Sequence, residues 1–379
     1  MAFLANRDVN LLSLHYGFQA LAQGSGGVFL LVILLKSGLS VPETILALAA
    51  TVLIRLVARR AVTPFATRFG LKATLILGCL VMALQYPLTA AVDGIGVWLV
   101  SRCLASGIGE AFYWTSFHAY FASVGDSEHR GRQIGAREAL AAGIGVVAPL
   151  FGAWALMNME AGATFAAIGG IQALGVVPLL WAPSVAVVRD APGMREATRL
   201  GSLVYLANGW FAATFVLVWQ VALFLSLSES LSAYGGTMAI AAIAGGIGGL
   251  LLGRILDGGH GATATRIIFA GIAAMVVLRA SSLGFPGLAI AANAAGAFAI
   301  CFYVPAINTP VYNLAKASPC SLRFHVATED SWDKGALAAC AATIILLWAG
   351  AGLSSAILLA LVSCAAHAVL LGRYYLKNS

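Results

Sequence analysis

Charged residues are scarce in this chain of 379 residues, at 10% of the total, whereas hydrophobic residues make up 60%. Soluble domains carry about 25% charged and about 45–50% apolar residues, so this composition excludes a soluble globular protein. Long polar stretches are also missing, which leaves no room for a separate soluble domain or a disordered tail. The sequence therefore indicates an integral membrane protein that consists almost entirely of membrane spans.

Several motifs of other protein classes are absent. The sequence contains no Walker motif, so ATP does not drive its activity directly, and it lacks the HExxH and nucleophile-elbow motifs that would favour an enzyme. Its six cysteines show no CxxC spacing, and we expect neither disulfides nor a metal cluster. We therefore expect a protein that is not an enzyme and binds no cofactor. A metal-ion exporter using His15, Glu110 and His118 is a weaker alternative, because these residues have no recognisable ligand spacing.

Apolar runs of about 20 residues, long enough to cross a bilayer as helices, follow one another along the chain. Short turns rich in Gly, Pro, Ser or charged residues separate them. The first run, 11–35, is too long for the core of a cleavable signal peptide, so we expect it to be retained. The twelve predicted spans are 9–36, 41–66, 72–91, 95–122, 133–157, 162–185, 200–230, 235–257, 264–283, 286–315, 326–350 and 352–375.

The basic residues between these spans fall on alternate turns. The positive-inside rule places those turns in the cytoplasm, and an even number of spans then puts both termini there. We expect a multi-pass protein of a bacterial-type inner membrane, in which the net charge of +7 reflects topology rather than nucleic-acid binding. The residues are Arg7, Arg59, Arg60, Arg68, Lys72, Arg130, Arg132, Arg189, Arg195, Arg199, Arg254, Arg266, Lys316, Arg323, Arg373 and Lys377.

The most polar connection in the middle of the chain, 189–199, is predicted to be a cytoplasmic linker between two halves of six helices each, 1–188 and 200–379. The halves share one pattern, since Arg132 and Glu138 have the same spacing as Arg323 and Glu329. Parallel six-helix repeats with a binding site at their interface are a known transporter architecture.

The predicted span 95–122 carries three ionisable residues, Arg102, Glu110 and His118. Such groups are costly in hydrocarbon and indicate a functional site. Glu110, Trp114 and His118 follow i, i+4, i+8 spacing, which places them on one side of a helix. A carboxylate in a medium of low dielectric constant is protonated more readily than one in water. We therefore predict that Glu110 takes up and releases a proton, with His118 as a further proton-coupling candidate; a glutamate held permanently by a buried arginine is the alternative.

Arg55 falls near the centre of the second span, where it could pair with Glu110 or bind an anionic group of a substrate. Snorkelling of its side chain towards the cytoplasm is the structural alternative. Uncharged polar residues of the first, seventh and tenth spans would suit a substrate with polar atoms, although hydrogen bonds between helices account for them nearly as well. The predicted substrate-binding residues are Arg55, His15, Gln19, Gln23, Trp114, Asn208, Trp219, Gln220 and Asn308.

A second charged cluster marks the start of the eleventh span, where His325, Glu329 and Asp333 again follow i, i+4, i+8 spacing. The positive end of a helix dipole stabilises acidic residues in such a place, and Lys334 can neutralise one of them. Glu329 and Asp333 lie deeper in the span, and we predict a role for them in proton coupling or gating.

Short motifs at 66–72, 102–109, 145–153 and 253–257 resemble those of the major facilitator superfamily, and the resemblance extends over nearly the whole chain. The turn Ala66-Thr67-Arg68-Phe69-Gly70-Leu71-Lys72 is similar to the family's Gly-x-x-x-Asp-Arg-x-Gly-Arg-Lys motif, with Thr67 at the acidic position. The second half has a related segment, Gly253-Arg254-Ile-Leu-Asp257, which keeps the aspartate.

Two further motifs lie in the fourth and fifth spans. Arg102 with Gly107 and Gly109 resembles a motif whose arginine the family associates with proton coupling, and 145–153 with Pro149 resembles a motif of antiporters. The resemblance implies an all-α fold of twelve transmembrane helices in two six-helix pseudo-repeat halves. It also implies gating roles for Arg68, Lys72, Asp257, Arg132, Glu138 and Pro149.

These observations together predict a secondary active transporter that acts as a monomer. We expect it to move a small organic solute of anionic or amphipathic character by alternating access, and to export it in exchange for protons. An importer or an uncoupled facilitator on the same fold is the alternative. The expected partners are the solute, protons and membrane lipid, and no nucleic acid.

Overall fold

The computed structural model describes residues 6–124, 130–187, 191–255 and 261–378. Within these ranges the chain forms helices joined by short turns and contains no strand. Backbone hydrogen bonds within a helix satisfy every interior peptide group, which is the requirement that hydrocarbon imposes on a spanning segment. The prediction of an all-α membrane protein is confirmed.

In the part of the chain that the structure describes, the helices form twelve rods, some of them interrupted by a short irregular turn. We number them α1 to α12 in chain order: α1 Arg7–Lys36, α2 41–69, α3 71–90, α4 Val97–Val124, α5 Arg130–Asn158, α6 Ala161–Leu180, α7 Met194–Ser226, α8 Leu231–Ile255, α9 Gly261–Ser281, α10 Pro286–Ala317, α11 Ser321–Trp348 and α12 353–378.

The rods agree with the predicted spans to within a few residues, and the largest differences lie at the starts of α7 and α11 and at the end of α6, which is Leu180 rather than 185. The rod α7 begins at Met194 rather than at 200, and α11 begins at Ser321 rather than at 326. An apolar run shows only what the bilayer can hold, whereas a helix continues into polar surroundings because its hydrogen bonds are internal. Between α2 and α3 the chain turns at Gly70, whose φ of 81° suits glycine.

Eight helical stretches of the described residues are long and apolar enough to cross a membrane by length and composition, and one of these, Val41–Ala90, contains both α2 and α3. The rod α4 is not among them, although it has 28 residues. Its ionisable residues Arg102, Glu110 and His118 lower its hydropathy. This helix therefore depends on the surrounding protein to satisfy its polar groups.

The chain divides into two compact units. The first consists of Met1–Ser40, Ala50–Met194 and Pro319–Val326, and the second of Val41–Ala49, Arg195–Ser318 and Ala327–Ser379. In the first unit α1 packs against α5 and α6, and α3 packs against α4 and α6. Buried aromatic and aliphatic side chains of α3, α4 and α6, including Leu75, Tyr113, Phe117 and Leu179, form its core.

The second unit is built from α8 against α10 and from α9 against α10 and α12. Its rod α7 contains a π-helical stretch, Ala212–Val218. Arg279 of α9 is buried there, and it donates a hydrogen bond of 2.5 Å to the carbonyl oxygen of Phe215 while its guanidinium lies 3.9 Å from the Phe215 ring centroid. The π-helical stretch thus places both the carbonyl oxygen and the ring of Phe215 against the buried guanidinium group of Arg279.

Candidate functional site

An ion pair joins α2 and α4 inside the first unit. Nη1 of Arg55 lies 2.7 Å from Oε2 of Glu110. The Arg55 side chain is 9% exposed and that of Glu110 is 24% exposed, so the arginine is buried while the carboxylate is partly accessible. The Coulomb attraction within the pair is stronger in such surroundings than on a protein surface, and desolvation of the two charges opposes it. Two partners were predicted for Arg55, Glu110 and an anionic group of a substrate, and the structure contains the pair with Glu110.

Two more hydrogen bonds connect the same helices, one on each side of this pair. Nη1 of Arg102 on α4 donates to Oγ1 of Thr51 on α2 at 3.0 Å, and Nη1 of Arg59 on α2 donates to Oγ1 of Thr115 on α4 at 2.6 Å. Both bonds are buried. Three arginines thus make polar contacts between α2 and α4, and one of them, Arg55, contacts the carboxylate of Glu110.

Two glycines of α4 allow the neighbouring helices to come this close. A Cβ atom at Gly107 would lie 2.6 Å from the carbonyl oxygen of Thr51, and one at Gly109 would meet the backbone of Met82 on α3. No side chain fits at such distances, so α4 uses one glycine against α2 and the other against α3. The sequence Gly107-Ile-Gly109 therefore has a packing function that brings Glu110 within reach of Arg55.

Ser106 links Glu110 to α3. Its Oγ lies 2.9 Å from Oε1 of Glu110 and 2.8 Å from Oε1 of Gln85, and all three side chains are at least partly buried. A hydroxyl group has one hydrogen to donate. Ser106 can therefore donate to only one of these oxygens at a time, unless a protonated Glu110 or the amide group of Gln85 supplies the second hydrogen.

The predicted row of residues on α4 lies on one partly accessible side of the helix. Glu110, Trp114 and His118 are half-buried, while most of the residues between them are buried. The rings of Trp114 and His118 stack with centroids 5.9 Å apart, and the ring of His118 lies 5.8 Å from that of His325. The i, i+4 spacing in the sequence therefore corresponds to a continuous row that starts at the ion pair.

Two reciprocal hydrogen bonds connect α7 and α10 in the second unit. The hydroxyl group of Tyr303 donates to Oδ1 of Asn208 at 3.0 Å, and that of Tyr205 donates to Oδ1 of Asn308 at 3.5 Å. The asparagines are half-buried and the tyrosines are buried. Each helix thus contributes one tyrosine and one asparagine, and the amides remain within reach of the surroundings.

Comparisons with known proteins identify the family. The family model described as Major Facilitator Superfamily matches residues 12–319. The chain belongs to the Major Facilitator Superfamily. No curated protein matches the sequence.

Solved structures have the same fold as this superfamily member. One is a POT family transporter in complex with 5-aminolevulinic acid, with 11% identity and a TM-score of 0.73 over 96% of this chain and 95% of that one. Another is a POT family transporter in complex with a thioalcohol-conjugated peptide, with 12% identity and a TM-score of 0.68 over 98% of this chain and 96% of that one. The family and fold are those of secondary transporters of small solutes, which confirms the predicted fold class.

Other predicted pocket residues of this transporter occupy different surroundings. His15 is buried and its Nδ1 lies 2.7 Å from the carbonyl oxygen of Gly175 on α6, while its Nε2 has no hydrogen-bond partner among the described residues. Gln19 is buried as well, and its Oε1 also lacks a partner in the part of the chain that the structure describes, whereas Gln23 is exposed. The three residues lie on one continuous helix, Arg7–Ser25, and differ in exposure.

Trp219 and Gln220, the two predicted substrate-binding residues in the last part of α7, differ in burial. Trp219 is buried and its Nε1 donates to Oδ1 of Asn293 at 2.9 Å, so this side chain packs within the second unit. Gln220 is half-buried. The tryptophan therefore connects α7 with α10 by a bond that a solute would have to break.

On α11 the acidic residues separate into two kinds. Asp330 lies 3.4 Å from Nζ of Lys334 in an exposed i, i+4 pair, which agrees with the neutralising role expected of the lysine. Asp333 is fully buried and Glu329 is half-buried. A buried carboxylate needs compensating interactions, so Asp333 is the more constrained of the two.

The turn between α2 and α3 fastens this region to α6. Lys72 donates from Nζ to the carbonyl oxygens of Leu180 at 2.8 Å and Ala182 at 2.9 Å, where α6 ends. A cation in this position satisfies the last carbonyls of a helix and its negative dipole end. Arg68 is exposed, and its guanidinium lies 5.2 Å from the Phe69 ring centroid. The two basic residues of the motif thus have different surroundings.

The other predicted gating residues can be placed only in part. Arg132 and Glu138 belong to α5, but their side chains lie outside the described residues, and so does Asp257. Pro149 is buried within α5, where a Cβ atom at Gly24 of α1 would lie 3.9 Å from its Cδ. Among the described residues, no three His, Cys, Asp or Glu side chains are grouped so that they could hold a metal ion.

Several contacts of the site were not predicted from the sequence, among them those of Ser106 and Gln85. Thr51 gives a signal in hindsight, because it precedes Arg55 and Arg59 at i, i+4, i+8 spacing and forms the third polar residue of one side of α2. Gln85 gives none, since a single glutamine between apolar residues is equally compatible with a lipid-facing or a buried position.

Proposed function

We propose that this transporter couples the movement of a small organic solute with an anionic group to the movement of protons. The observation that carries the proposal is the Arg55–Glu110 ion pair at 2.7 Å, in which the carboxylate remains 24% exposed. The pair joins a proton acceptor, Glu110, to an anion-binding group, Arg55, so that each occupies the other until a proton or an anion replaces it. Arg55 offers the planar donor geometry that suits a carboxylate or a phosphate.

The competition has a defined sign. Protonation of Glu110 removes its charge and weakens the pair, and a solute anion that binds Arg55 breaks the same pair. When both events occur, the free energy of breaking the pair is spent only once. Protonation of Glu110 and anion binding by Arg55 therefore each make the other more favourable. Coupling between two sites is typically about 1–3 kcal/mol, or about 5–150-fold in affinity. The ion pair therefore favours loading of the proton and the anion on the same side, and hence transport of both in one direction.

The contacts of Ser106 support Glu110 as the proton carrier. A protonated Glu110 would donate to Oγ of Ser106, which in turn would donate to Oε1 of Gln85, so every hydrogen has an acceptor. An ionised Glu110 would accept from Ser106 and from Arg55 instead. Each protonation state of Glu110 thus has its own hydrogen-bond arrangement, in which Ser106 donates to Gln85 when Glu110 is protonated and to Glu110 when it is ionised.

Export in exchange for protons is the second candidate. It is supported by the antiporter-like pattern of α5, in which Pro149 is buried and packs close to Gly24 of α1. In this form the solute and the proton compete for one site instead of binding together. A cationic or amphipathic solute that binds the Glu110 carboxylate directly would meet that condition.

The class of solute follows from the side chains near the pair. Trp114 and His118 offer aromatic surface beside the charged groups. Such a mixture suits a compact organic molecule with a charged end. The solved transporters of this fold bind 5-aminolevulinic acid and a peptide conjugate, both of which carry such groups, and 5-aminolevulinic acid is therefore our first test compound.

The remaining elements of the proposal follow the sequence. Two six-helix halves, 1–188 and 200–379, alternate the access of a central site to either side of an inner membrane, with both termini in the cytoplasm and one chain as the working unit. Glu329 and Asp333 provide acidic groups in the second half. The gates of the transporter use Arg68, Lys72, Arg132, Glu138 and Asp257.

The test uses purified protein in liposomes that contain a pH-sensitive dye. External 5-aminolevulinic acid, a dipeptide or an organic cation is added, and the proton flux and the uptake of labelled solute are recorded together. Glu110→Gln is compared with Glu160→Gln, a matched neutralisation of an exposed glutamate that caps α6 without a side-chain hydrogen bond. Size-exclusion profiles check that each variant is folded.

We expect internal acidification with solute uptake for the wild type and for Glu160→Gln, and no proton flux for Glu110→Gln. Alkalinisation of the lumen during uptake would support exchange instead of cotransport. Solute uptake without proton flux in the wild type, unchanged in Glu110→Gln, would overturn the coupling and make the protein a facilitator.

A further inference from the structure

The second unit contains a cavity of about 970 Å³ between α7 and α11 that the proposed transport cycle does not use. Its lining combines basic, hydroxyl and apolar side chains. The residues that matter here are Arg195, Arg199, Leu203 and Leu206 on α7 and Ser331 and Lys334 on α11.

Two of the three basic residues lie together at one end of the cavity, whereas Lys334 precedes Gly335, where a Cβ atom would meet the carbonyl oxygen of Leu206. Arg195 and Arg199 are exposed and one helical turn apart at the start of α7, and Lys334 is exposed on α11. Two carboxylates are near them: Glu196 also lines the cavity, and Asp330 pairs with Lys334 at 3.4 Å. The guanidinium groups therefore dominate the charge at this end, and they favour an anion that can accept two parallel hydrogen bonds.

The apolar residues lie deeper along the same helix. Leu203 and Leu206 are 44% and 41% exposed. At a rise of about 1.5 Å per residue they lie about 6 and about 10 Å from Arg199 along the axis of α7, towards its apolar part. The cavity thus has the two arginines at its polar end and the exposed side chains of Leu203 and Leu206 further along α7.

We propose that this cavity binds the headgroup of an anionic phospholipid, with Arg195 and Arg199 on the phosphate and an acyl chain along Leu203 and Leu206. A bilayer places charge and hydrocarbon in the same order and over the same distance. A soluble anion would use the arginines but would gain nothing from the leucines. Basic pockets between membrane helices are suited to such headgroups. The proposal does not depend on the nature of the solute or on proton coupling.

The test measures lipid binding to the purified transporter in detergent by native mass spectrometry. Phosphatidylglycerol and phosphatidylcholine with identical acyl chains are added at equal concentrations. Arg195→Gln/Arg199→Gln removes the two guanidinium groups, and Leu203→Ala/Leu206→Ala removes the apolar contact. Arg266→Gln/Lys316→Gln is the matched control, because it removes two exposed basic residues elsewhere in the same unit.

We expect the wild type and the control variant to bind phosphatidylglycerol in preference to phosphatidylcholine. Each basic residue near an anionic lipid contributes about 5-fold in affinity, so the arginine variant should bind phosphatidylglycerol about 25-fold more weakly. The leucine variant should lose affinity for both lipids.

Three results would overturn the proposal. One is equal weakening by the control pair, which would indicate a nonspecific charge effect. The second is equal binding of phosphatidylcholine by the wild type. The third is displacement of phosphatidylglycerol by inorganic phosphate at equal concentration together with an unaffected leucine variant, which would identify a site for a soluble anion.

Discussion

Arg55 of α2 and Glu110 of α4 form an ion pair of 2.7 Å in which the arginine is almost fully enclosed and the carboxylate is not. The asymmetry matters because desolvation raises the cost of a charge that cannot reach water. In the proposed cycle the pair is broken at the carboxylate, because the arginine keeps its charge and then needs another anion. The exposed partner is therefore the one suited to change its state.

A double-mutant cycle on this pair should show strong coupling. Arg55→Gln and Glu110→Gln each leave one partner behind, and we expect each to destabilise the protein by about 2–3 kcal/mol, somewhat below the range of fully buried pairs. The double variant should be about 1–3 kcal/mol more stable than the sum of the single effects. Thermal unfolding can be followed with a thiol-reactive dye, because four of the six free cysteines are buried. Additive effects would show that the pair contributes little.

Substitution of Gly107 should separate α2 from α4. In Gly107→Ala the new Cβ would lie 2.6 Å from the carbonyl oxygen of Thr51, so the helices must move apart or strain must build up. Overpacking of this kind costs about 1–3 kcal/mol. Gly143→Ala is the control, since nothing lies within 4 Å of a Cβ atom there. The dye-monitored unfolding temperature should fall for the first variant only, and an unchanged value for Gly107→Ala would contradict the close approach.

The sequence was sufficient to predict most of the fold, because apolar runs of about 20 residues, repeated along a chain with so few charges, fit membrane-spanning helices and little else. It also predicted the row of Glu110, Trp114 and His118, since the spacing of polar residues on one long helix defines one side of it. The possible partnership of Arg55 with Glu110 followed from the high cost of leaving either charge alone.

The role of the uncharged polar residues was harder to predict. Trp219 and Asn208 differ little in sequence context, yet Trp219 packs in the core by a bond to Asn293, whereas Asn208 remains half-buried. Which of them turns inwards depends on the rotation of α7, and the π-helical turn between them changes that rotation. A hydrogen bond between two helices depends on distances across the fold, which the spacing along one chain does not contain.

Loss of the Lys72 side chain should loosen the end of α6. Lys72→Gln removes two hydrogen bonds to the carbonyl oxygens of Leu180 and Ala182, and we expect a loss of about 1–2 kcal/mol. Hydrogen exchange of the peptide 180–187 should become faster. Arg68→Gln is the control from the same motif, because Arg68 is exposed and should leave this exchange unchanged. Equal exchange in both variants would mean that Lys72 does not hold α6.

The two bonds between tyrosine and asparagine in the second unit allow a test of solute binding. If Asn208 binds the solute, it must first give up the hydroxyl group of Tyr303, which donates to it at 3.0 Å. Tyr303→Phe removes this competition, and the KM for the solute should fall by up to about 5-fold, since one such bond is worth about 1 kcal/mol.

Tyr205→Phe is the matched comparison for this prediction, because its bond to Asn308 is longer, at 3.5 Å, and therefore weaker. We expect a smaller change in KM for this variant, although it loses one buried hydroxyl group just as Tyr303→Phe does. Both KM values are obtained from the concentration dependence of uptake into liposomes. A rise in KM in both variants, in proportion to their loss of thermal stability, would assign the asparagines to helix packing, because a purely structural bond offers no competition that its removal could relieve.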